Sequence, residues 1–173
     1  TISTVFDKPI AQSNCVGCGQ CALACPTGAI VVKDDTRKVW KEIYDKNTRV
    51  SVQIAPAVRV ALGKELGLND GENAIGKIVA ALRRMGFDDI FDTSTGADLT
   101  VLEESAELLK RIKEGKNDMP LFTSCCPAWV NYCEKFHPEL LPHVSTCRSP
   151  MQMFASIIKE EYSTSSKRLV HVA

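Results

Sequence analysis

The chain has 173 residues, 8 cysteines, and 21 Lys and Arg against 21 Asp and Glu, so its formal net charge is zero. This size allows one core and a small appended module, and the charge balance gives no reason to expect nucleic acid or an anionic membrane as partner. The apolar runs are too short for a bilayer span, and no signal-peptide pattern opens the sequence. Four cysteines fall within 11 residues, which favours metal ligation in a reducing compartment, the cytoplasm, over a disulfide framework.

The first motif in chain order is a cysteine run with the pattern C-x2-C-x2-C-x3-C-P. It consists of Cys15, Cys18, Cys21, Cys25 and Pro26. The spacing is typical of bacterial ferredoxins, because three thiolates two residues apart can hold an iron-sulfur cubane from one tight loop. Zinc is the alternative, but zinc sites usually use two C-x-x-C pairs set well apart. The run predicts a 4Fe-4S cluster in a partial ferredoxin-type module over residues 1–48, and leaves open whether Cys25 ligates the same cluster as the other three.

Strand and helix signals alternate after residue 48. The pattern predicts strands at 50–54, 89–92, 121–122 and 168–173. It predicts helices at 57–66, 72–85 and 99–113, a helix that follows the strand at 121–122 and ends near 136, and a helix at 149–162. Asp98 is the predicted N-cap of the helix at 99–113, and Ser149, followed by Pro150, is that of the last helix. Strands separated by helices imply a largely parallel sheet. Residues 49–173 are therefore predicted to form an α/β domain, with ligands beyond the carboxyl ends of its strands.

The stretch TSCCPAW at 123–129 places Cys125 and Cys126 side by side before a helix. Neighbouring residues on a helix point about 100° apart, and a helix N-terminus lowers the pKa of a thiol. A thiolate ligand at a redox centre is one interpretation, and two core cysteines at a helix start is the other. Of the remaining cysteines, Cys133 is predicted to lie in the core, and Cys147 to be buried and inert.

The helix at 99–113 is predicted to bury one apolar face. That face consists of Val101, Ser105, Leu108 and Ile112, flanked by Leu102 and Leu109. Glu104, Glu107 and Arg111 then fall on the shoulder towards solvent. On composition alone, this is a salt-bridged surface helix with Glu107 and Arg111 as an i,i+4 pair.

From the cysteine run to its last residue, the sequence resembles the N-terminal half of an iron-iron (FeFe) hydrogenase. The similar stretches are the run itself, IAPAVRVALG, MGFDDIFDTSTGADLTVLEE, TSCCPAWV and FHPELLPHVSTCRSPMQMF. The first active-site signature of the family, TSCCPGW, occurs here with Ala128 in place of glycine. The resemblance implies an α/β hydrogenase domain that catalyses reversible hydrogen oxidation and proton reduction, with electrons passing through the ferredoxin-type cluster.

The resemblance also implies the cofactor and its ligands. The H-cluster of this family is a 4Fe-4S cubane linked to a two-iron unit with CO, CN and dithiolate ligands. Cys126 resembles a cubane ligand, whereas Pro56, Ala57 and Met151 resemble positions that line the two-iron unit. Met151 stands where some relatives have a hydrogen-bonding glutamine, which its thioether cannot replace.

A proton relay is implied in the same way. Its groups would be, in order from the cluster to solvent, Cys125, Glu104, Ser145, Glu107 and a surface arginine, Arg111. Such a chain needs groups that alternately donate and accept within hydrogen-bond reach. The relay favours an enzyme over the alternative, a non-catalytic iron-sulfur relative that serves cluster assembly, hydrogen sensing or electron transfer.

Three of the four cysteines expected for the H-cluster lie in later family signatures, MPC and CPGGC, which this sequence does not contain. We therefore expect the rest of the domain in the same or another chain: a segment of a longer polypeptide is favoured over a split enzyme or a relic. The expected partners are hydrogen and protons as substrates, and a ferredoxin or an iron-sulfur, NAD-linked or formate-linked subunit for electrons. The sequence leaves the physiological direction and oxygen tolerance open.

Overall fold

The computed structural model describes residues 7–115, 119–163 and 166–173, and the chain divides into two compact units. One, called here the sheet unit, consists of Asp35–Glu103 and Arg148–Ala173. The other, called the cysteine unit, consists of Thr1–Asp34 and Glu104–Cys147. Each unit is therefore assembled from two separate stretches of sequence, and the predicted division of the chain at residue 48 stays a prediction.

Three parallel strands form the centre of the sheet unit. They are β1 (Thr48–Ile54), β2 (Asp89–Asp92) and β3 (Arg168–Val172), in the order β2-β1-β3. In this register, Ser51 of β1 pairs with Asp89 on one side and with His171 on the other. The predicted α/β class with a parallel sheet is confirmed, and all three strands fall where the pattern placed them.

Helices account for most of the remaining structure. In chain order they are α1 (Gln20–Ala24), α2 (Thr36–Tyr44), α3 (Pro56–Ala61), α4 (Ile75–Met85), α5 (Ser94–Glu114), α6 (Pro127–Phe136) and α7 (Pro150–Tyr162). Short 3-10 turns occur at Ile10–Gln12, Lys64–Leu66 and Pro138–His143. In the described part of the chain, no helix is long and apolar enough to cross a membrane.

The central strand β1 is buried on both faces. Val50 and Val52 pack with Phe87 and, from α2, Val39 and Ile43. The polar residues that alternate with them are buried too, since Ser51 is fully covered and Gln53 is 6% exposed. The helix α2 was not predicted, because it is only nine residues long and the partners of Val39 and Ile43 lie on a strand that follows it in sequence.

The two predicted helix caps have different outcomes. The cap of α7 is confirmed, because the Gln152 amide donates to the Ser149 hydroxyl (3.3 Å) and Pro150 occupies the first helical position. The Asp98 cap of α5 is wrong. The helix begins one turn earlier, where the Ser94 amide donates to the Asp92 carboxylate (2.9 Å) and the Ala97 amide to the Thr93 carbonyl (3.1 Å).

The predicted strand at 121–122 is also wrong. Phe122 makes an isolated parallel bridge with Val144, its amide donating to His143 and its carbonyl accepting from Ser145. The partner segment is a 3-10 turn up to His143, which leaves too few extended residues for a ladder. This single bridge nevertheless holds the start of TSCCPAW beside the segment 143–147 within the cysteine unit.

Candidate active site and iron-sulfur loop

The cysteine run forms an open loop with glycines in the left-handed region. Gly17 and Gly19 have φ of 75° and 76°, which side chains with a Cβ rarely adopt. The Gly17 amide points at the Cys15 sulfur (3.4 Å). An amide directed at a ligand sulfur is the arrangement that stabilises an iron-sulfur cluster.

The thiols of this loop are accessible. Cys15, Cys18 and Cys21 are exposed, and Cys25 is half-buried. The Thr27 hydroxyl, followed by the amides of Ile30, Thr27 and Ala29, lowers the pKa of the Cys25 thiol to about 7. At neutral pH about half of a thiol with this pKa is present as the thiolate that metal ligation requires.

Within residues 7–115, 119–163 and 166–173, no three His, Cys, Asp or Glu side chains already converge as a metal site. The structure thus places the four cysteines in one short segment, with Cys21 in α1, without gathering their sulfurs. The donor set still fits a 4Fe-4S cluster, since it offers accessible thiols, a thiol of lowered pKa and an amide aimed at sulfur.

Cys125 and Cys126 lie at the start of α6, and both are exposed. Cys126 is the residue immediately before the helix, with Pro127 at its first position. Ser124, two residues before Cys126, donates a hydrogen bond from its hydroxyl to the Cys147 carbonyl, which fixes the backbone before the cysteine pair. An exposed thiol at a fixed helix start suits ligation of a cubane by Cys126.

The orientation of α5 is the reverse of the predicted one. Four residues of the predicted apolar face and its flanks are exposed, at 56–68%: Val101, Leu102, Leu109 and Ile112. Arg111, by contrast, is only 8% exposed and Thr100 is buried. The prediction of a buried apolar face is wrong because Glu107 and Arg111 form hydrogen bonds with other residues of the cysteine unit and therefore turn the polar side of α5 inward.

Glu107 accepts several hydrogen bonds on both oxygens of its carboxylate. Its Oε1 accepts from Arg111 Nη2 (2.6 Å) and Nε (3.1 Å). Its Oε2 accepts from the Ser145 hydroxyl (3.0 Å) and from the amide (3.1 Å) and hydroxyl (3.2 Å) of Thr146. Burial favours the neutral acid, but the hydrogen bonds from Arg111, Ser145 and Thr146 outweigh it and hold the pKa of Glu107 below its usual value.

Arg111 is buried and not the surface arginine that was expected. Besides the i,i+4 pair with Glu107, which was predicted correctly, it donates to the carbonyls of Pro142 (2.8 Å) and Val144 (3.0 Å). A guanidinium does not deprotonate in proteins. Arg111 therefore holds Glu107 and the segment 142–147 in place, and cannot itself carry a proton.

The expected relay residues are brought together only in part. Ser145 donates to Glu107 and accepts from the Cys147 amide (3.1 Å), so it retains a lone pair. Among the described residues, no hydrogen bond joins Glu104 to Ser145 or to Cys125, whose sulfur lies 3.9 Å from the Thr123 hydroxyl. Glu104 is half-buried on the same helix as Glu107.

Sequence reasoning missed Thr146, which supplies two of the hydrogen bonds to Glu107. The sequence shows only that Thr146 has a hydroxyl and follows Ser145. Because the direction of a loop side chain cannot be read from sequence, its contact with Glu107 could not be predicted. The expectation that Cys147 is buried is also wrong: it is half-buried, with its sulfur 4.0 Å from Glu107 Oε2. Cys133 is fully buried as predicted, and burial, with the nearby Glu139 carboxylate, raises the pKa of its thiol.

The expected H-cluster contacts of the sheet unit lie on its surface. Pro56 and Ala57 open α3 directly after β1 and are exposed. Met151 is 42% exposed, and its carbonyl accepts from the buried Gln53 amide (3.0 Å). The Gln53 carbonyl in turn accepts from Thr93 (3.1 Å), so a buried side chain of the central strand fixes the backbone at Met151.

Comparison with known protein families now defines the class. The family described as "Iron only hydrogenase large subunit, C-terminal domain" matches residues 48–173, and a 4Fe-4S binding domain matches residues 9–31. The chain belongs to the family of iron-only hydrogenase large subunits. The two matched regions indicate 4Fe-4S and H-cluster cofactors.

The chain is similar in sequence to several individual hydrogenases and to an iron-sulfur assembly protein. The chain is 43% identical to the NADP-reducing hydrogenase subunit HndD of Solidesulfovibrio fructosivorans over 94% of its own length and 28% of the relative's. It is 44% identical to the periplasmic Fe hydrogenase large subunit of Nitratidesulfovibrio vulgaris, over 87% of this chain and 44% of that protein. A more distant relative, cytosolic iron-sulfur assembly component 3 of Bos taurus, is 30% identical over 89% of this chain and 34% of its own.

Solved structures of FeFe hydrogenases are also similar to this chain in fold. The FeFe-hydrogenase HydA1 from Chlamydomonas reinhardtii superposes with a TM-score of 0.72 at 39% identity, covering 80% of this chain and 37% of that one. The chain thus spans less than half the length of these relatives.

Proposed function

We propose that this chain is part of an FeFe hydrogenase that catalyses the reversible oxidation of hydrogen to two protons and two electrons. Membership of the family supports the reaction. The observation on this chain that carries the proposal is the hydrogen bond from Ser145 to a Glu107 carboxylate that Arg111 holds on its other oxygen. A carboxylate that served only to pair with Arg111 would not need the Ser145 hydroxyl on its second oxygen.

The cofactors would be held by thiolates of this chain and of sequence outside it. Cys15, Cys18, Cys21 and Cys25 would hold the 4Fe-4S cluster that passes electrons, and Cys126 would supply one of the ligands of the H-cluster cubane. When bound, the H-cluster supplies the iron centre at which the H–H bond is made or broken. Pro56, Ala57 and Met151 would line its two-iron unit.

Protons would move through the side chains of the cysteine unit. Cys125 would accept a proton near the cofactor and pass it to Glu104. The Ser145 hydroxyl would accept it from Glu104 on its remaining lone pair while donating its own proton to Glu107, as a relay of alternating donors and acceptors requires. The first two transfers need a bridging water or a side-chain rotation, because no direct hydrogen bond spans them within the described residues.

Electron partners and compartment are part of the proposal. The similarity to an NADP-reducing hydrogenase subunit supports an electron-transfer subunit linked to NAD or NADP over a formate-linked one. The free cysteines support the cytoplasm, and the periplasmic relative represents the alternative. Fractionation of the native cells, with the complete protein detected by antibody, distinguishes the two.

The test is Cys125→Ala in the complete, cofactor-loaded protein, with Cys133→Ala as the matched control. We expect Cys125→Ala to abolish hydrogen turnover at unchanged iron content, because the first proton acceptor is lost. Cys133 is buried in α6 and outside the relay, so Cys133→Ala should retain turnover. Turnover in Cys125→Ala close to that of the wild type would refute the relay.

A second function is favoured by the relatives named as cytosolic iron-sulfur assembly components. In that case, the chain would bind iron-sulfur clusters without acting on hydrogen. Hydrogen–deuterium exchange by the complete wild-type protein, with its iron content verified, separates the two functions. Full cluster loading without any exchange would establish the second one.

A further inference from the structure

One face of α6 contacts the iron-sulfur loop through two side chains. Asn131 and Lys135 are four residues apart and thus lie one above the other on the same helix face. Both belong to the cysteine unit, as does the loop. Neither residue belongs to the proposed relay or to the expected cluster ligands.

The contacts are made with backbone carbonyls around the first cluster ligand. The Asn131 amide donates to the Val16 carbonyl (3.2 Å). The Lys135 ammonium donates to the carbonyls of Ser13 (2.9 Å) and Cys15 (2.5 Å). The two side chains of α6 therefore bind the backbone on both sides of Cys15. The loop's own hydrogen bonds there, such as that from the Cys15 amide to the Ser13 hydroxyl (3.2 Å), join residues only two positions apart in sequence.

The same helix begins at the expected ligand of the other cluster. Cys126 is the residue that caps α6. At about 1.5 Å of rise per residue, Asn131 lies roughly 7.5 Å and Lys135 roughly 13.5 Å along the helix axis from Cys126. A helix with the expected cubane ligand at one end and contacts to the cysteine loop on its later turns would set the separation between the two groups of ligands.

Lys135 also brings a positive charge to the loop. Hydrogen bonds and nearby charges are among the main determinants of the reduction potential of an iron-sulfur cluster. A cation beside the Cys15 backbone stabilises the more negative, reduced cluster by Coulomb attraction. The potential of that cluster should therefore depend on Lys135.

We propose that Asn131 and Lys135 are positioning residues that fix the ferredoxin-type cluster at a set distance from the cubane ligated by Cys126, and that Lys135 raises its reduction potential. The distance part rests on the proposed assignment of Cys126. The potential part rests only on the cluster of the cysteine run.

The test uses the complete, cofactor-loaded protein and two readouts that do not depend on turnover. Redox titration followed by electron paramagnetic resonance gives the midpoint potential of the ferredoxin-type cluster, and pulsed measurements give the distance distribution between the two clusters. Lys135→Met removes charge and donor, Lys135→Gln keeps a donor without charge, and Lys135→Arg keeps both. The matched control is Lys77→Met, because Lys77 also donates to a backbone carbonyl, that of Leu66 (2.7 Å), but in the sheet unit.

We expect Lys135→Met and Lys135→Gln to lower the midpoint potential, and Lys135→Arg and Lys77→Met to leave it at the wild-type value. The double variant Asn131→Leu, Lys135→Met should broaden the inter-cluster distance distribution. Unchanged potential in Lys135→Gln together with an unchanged distribution in the double variant would overturn the proposal. If Lys135→Met fails to retain its cluster, the midpoint potential is still measured in Lys135→Gln, because that variant keeps a hydrogen-bond donor to the loop. A wild-type protein without hydrogen turnover would contradict the proposed function, yet leave both readouts intact.

Discussion

Glu107 shows how single residues set the chemistry of the cysteine unit. One oxygen of its carboxylate is paired with a buried arginine, and the other receives two hydroxyls and an amide. These donors favour the ionised form against the opposing effect of burial. Glu107 is therefore ionised at neutral pH, which is the state in which the proposed relay would use it as a proton acceptor.

Neutralising Glu107 should destabilise the protein in a pH-dependent way. Glu107→Gln leaves the buried Arg111 without its counter-charge, which we expect to lower the free energy of unfolding by about 2 kcal/mol. Because the folded-state pKa of Glu107 is lowered, its contribution is present above the usual pKa of glutamate, about 4.3, and is lost as pH falls through the lower folded value. Urea unfolding of both proteins at neutral and acidic pH measures the difference.

The control for that experiment is Glu103→Gln, because Glu103 is an exposed carboxylate on the same helix. Its effect should stay within about 0.5 kcal/mol. A loss in Glu107→Gln that is equal at neutral pH and at a pH well below 4 would contradict the ion-pair explanation.

Removal of the Thr146 hydroxyl should raise the pKa of Glu107. Thr146→Val keeps the backbone amide bond but deletes one donor to Oε2, whereas Thr146→Ser keeps the donor. Infrared titration of the carboxyl C=O band, assigned with Glu107→Gln, reports this pKa. Equal pKa values in Thr146→Val and the wild type would show that the hydroxyl contributes nothing.

At the scale of secondary-structure elements, α5 and α7 approach closely at a glycine. A Cβ built on Gly96 would lie 2.4 Å from the Pro150 carbonyl oxygen and 2.9 Å from the Phe154 Cβ. The former atom belongs to the backbone at the start of α7 and cannot rotate away. Gly96 therefore allows the start of α5 to pack against α7 within the sheet unit, where any side chain would separate them.

Gly96→Ala should destabilise the protein by about 1–3 kcal/mol, the usual cost of overpacking. Gly76→Ala is the matched control, because Gly76 also lies in a helix but has no neighbouring atom within 4 Å of the position that a Cβ would take. There the better helix propensity of alanine should stabilise the protein by up to about 1 kcal/mol. Urea denaturation measures both, and equal effects of the two substitutions would refute the close approach.

For the molecule as a whole, the central fact is that it spans a quarter to under half of the hydrogenases to which it is similar. Its two sets of expected ligands are unequal: four cysteines for one cluster and one for the other. Loss of a single ligand should therefore remove one cluster and spare the other.

In the complete protein, Cys126→Ser should lose the iron of the H-cluster while the ferredoxin-type cluster remains. Cys18→Ser should have the converse result, since a cubane held by three thiolates is labile. Iron analysis together with electron paramagnetic resonance distinguishes the two patterns. Both signals lost together from Cys126→Ser, in a protein with wild-type secondary structure, would contradict separate sites.

Local sequence by itself determined the cysteine run, all three strands, the α7 cap and the Glu107–Arg111 pair. Ligand spacing, apolar alternation and helix periodicity act over a few residues and are visible in the sequence. The family resemblance added the relay residues and Cys126, whose roles remain predictions.

Only the tertiary structure decided which faces are covered. The polar side of α5 points inward because Arg111 finds the carbonyls of Pro142 and Val144 and Glu107 finds Ser145 and Thr146, about 30–40 positions away in sequence. The helix α2 and the grip of Lys135 on the cysteine loop likewise depend on partners remote in the chain. A buried charge is tolerable only where such partners exist, and sequence periodicity carries no information about them.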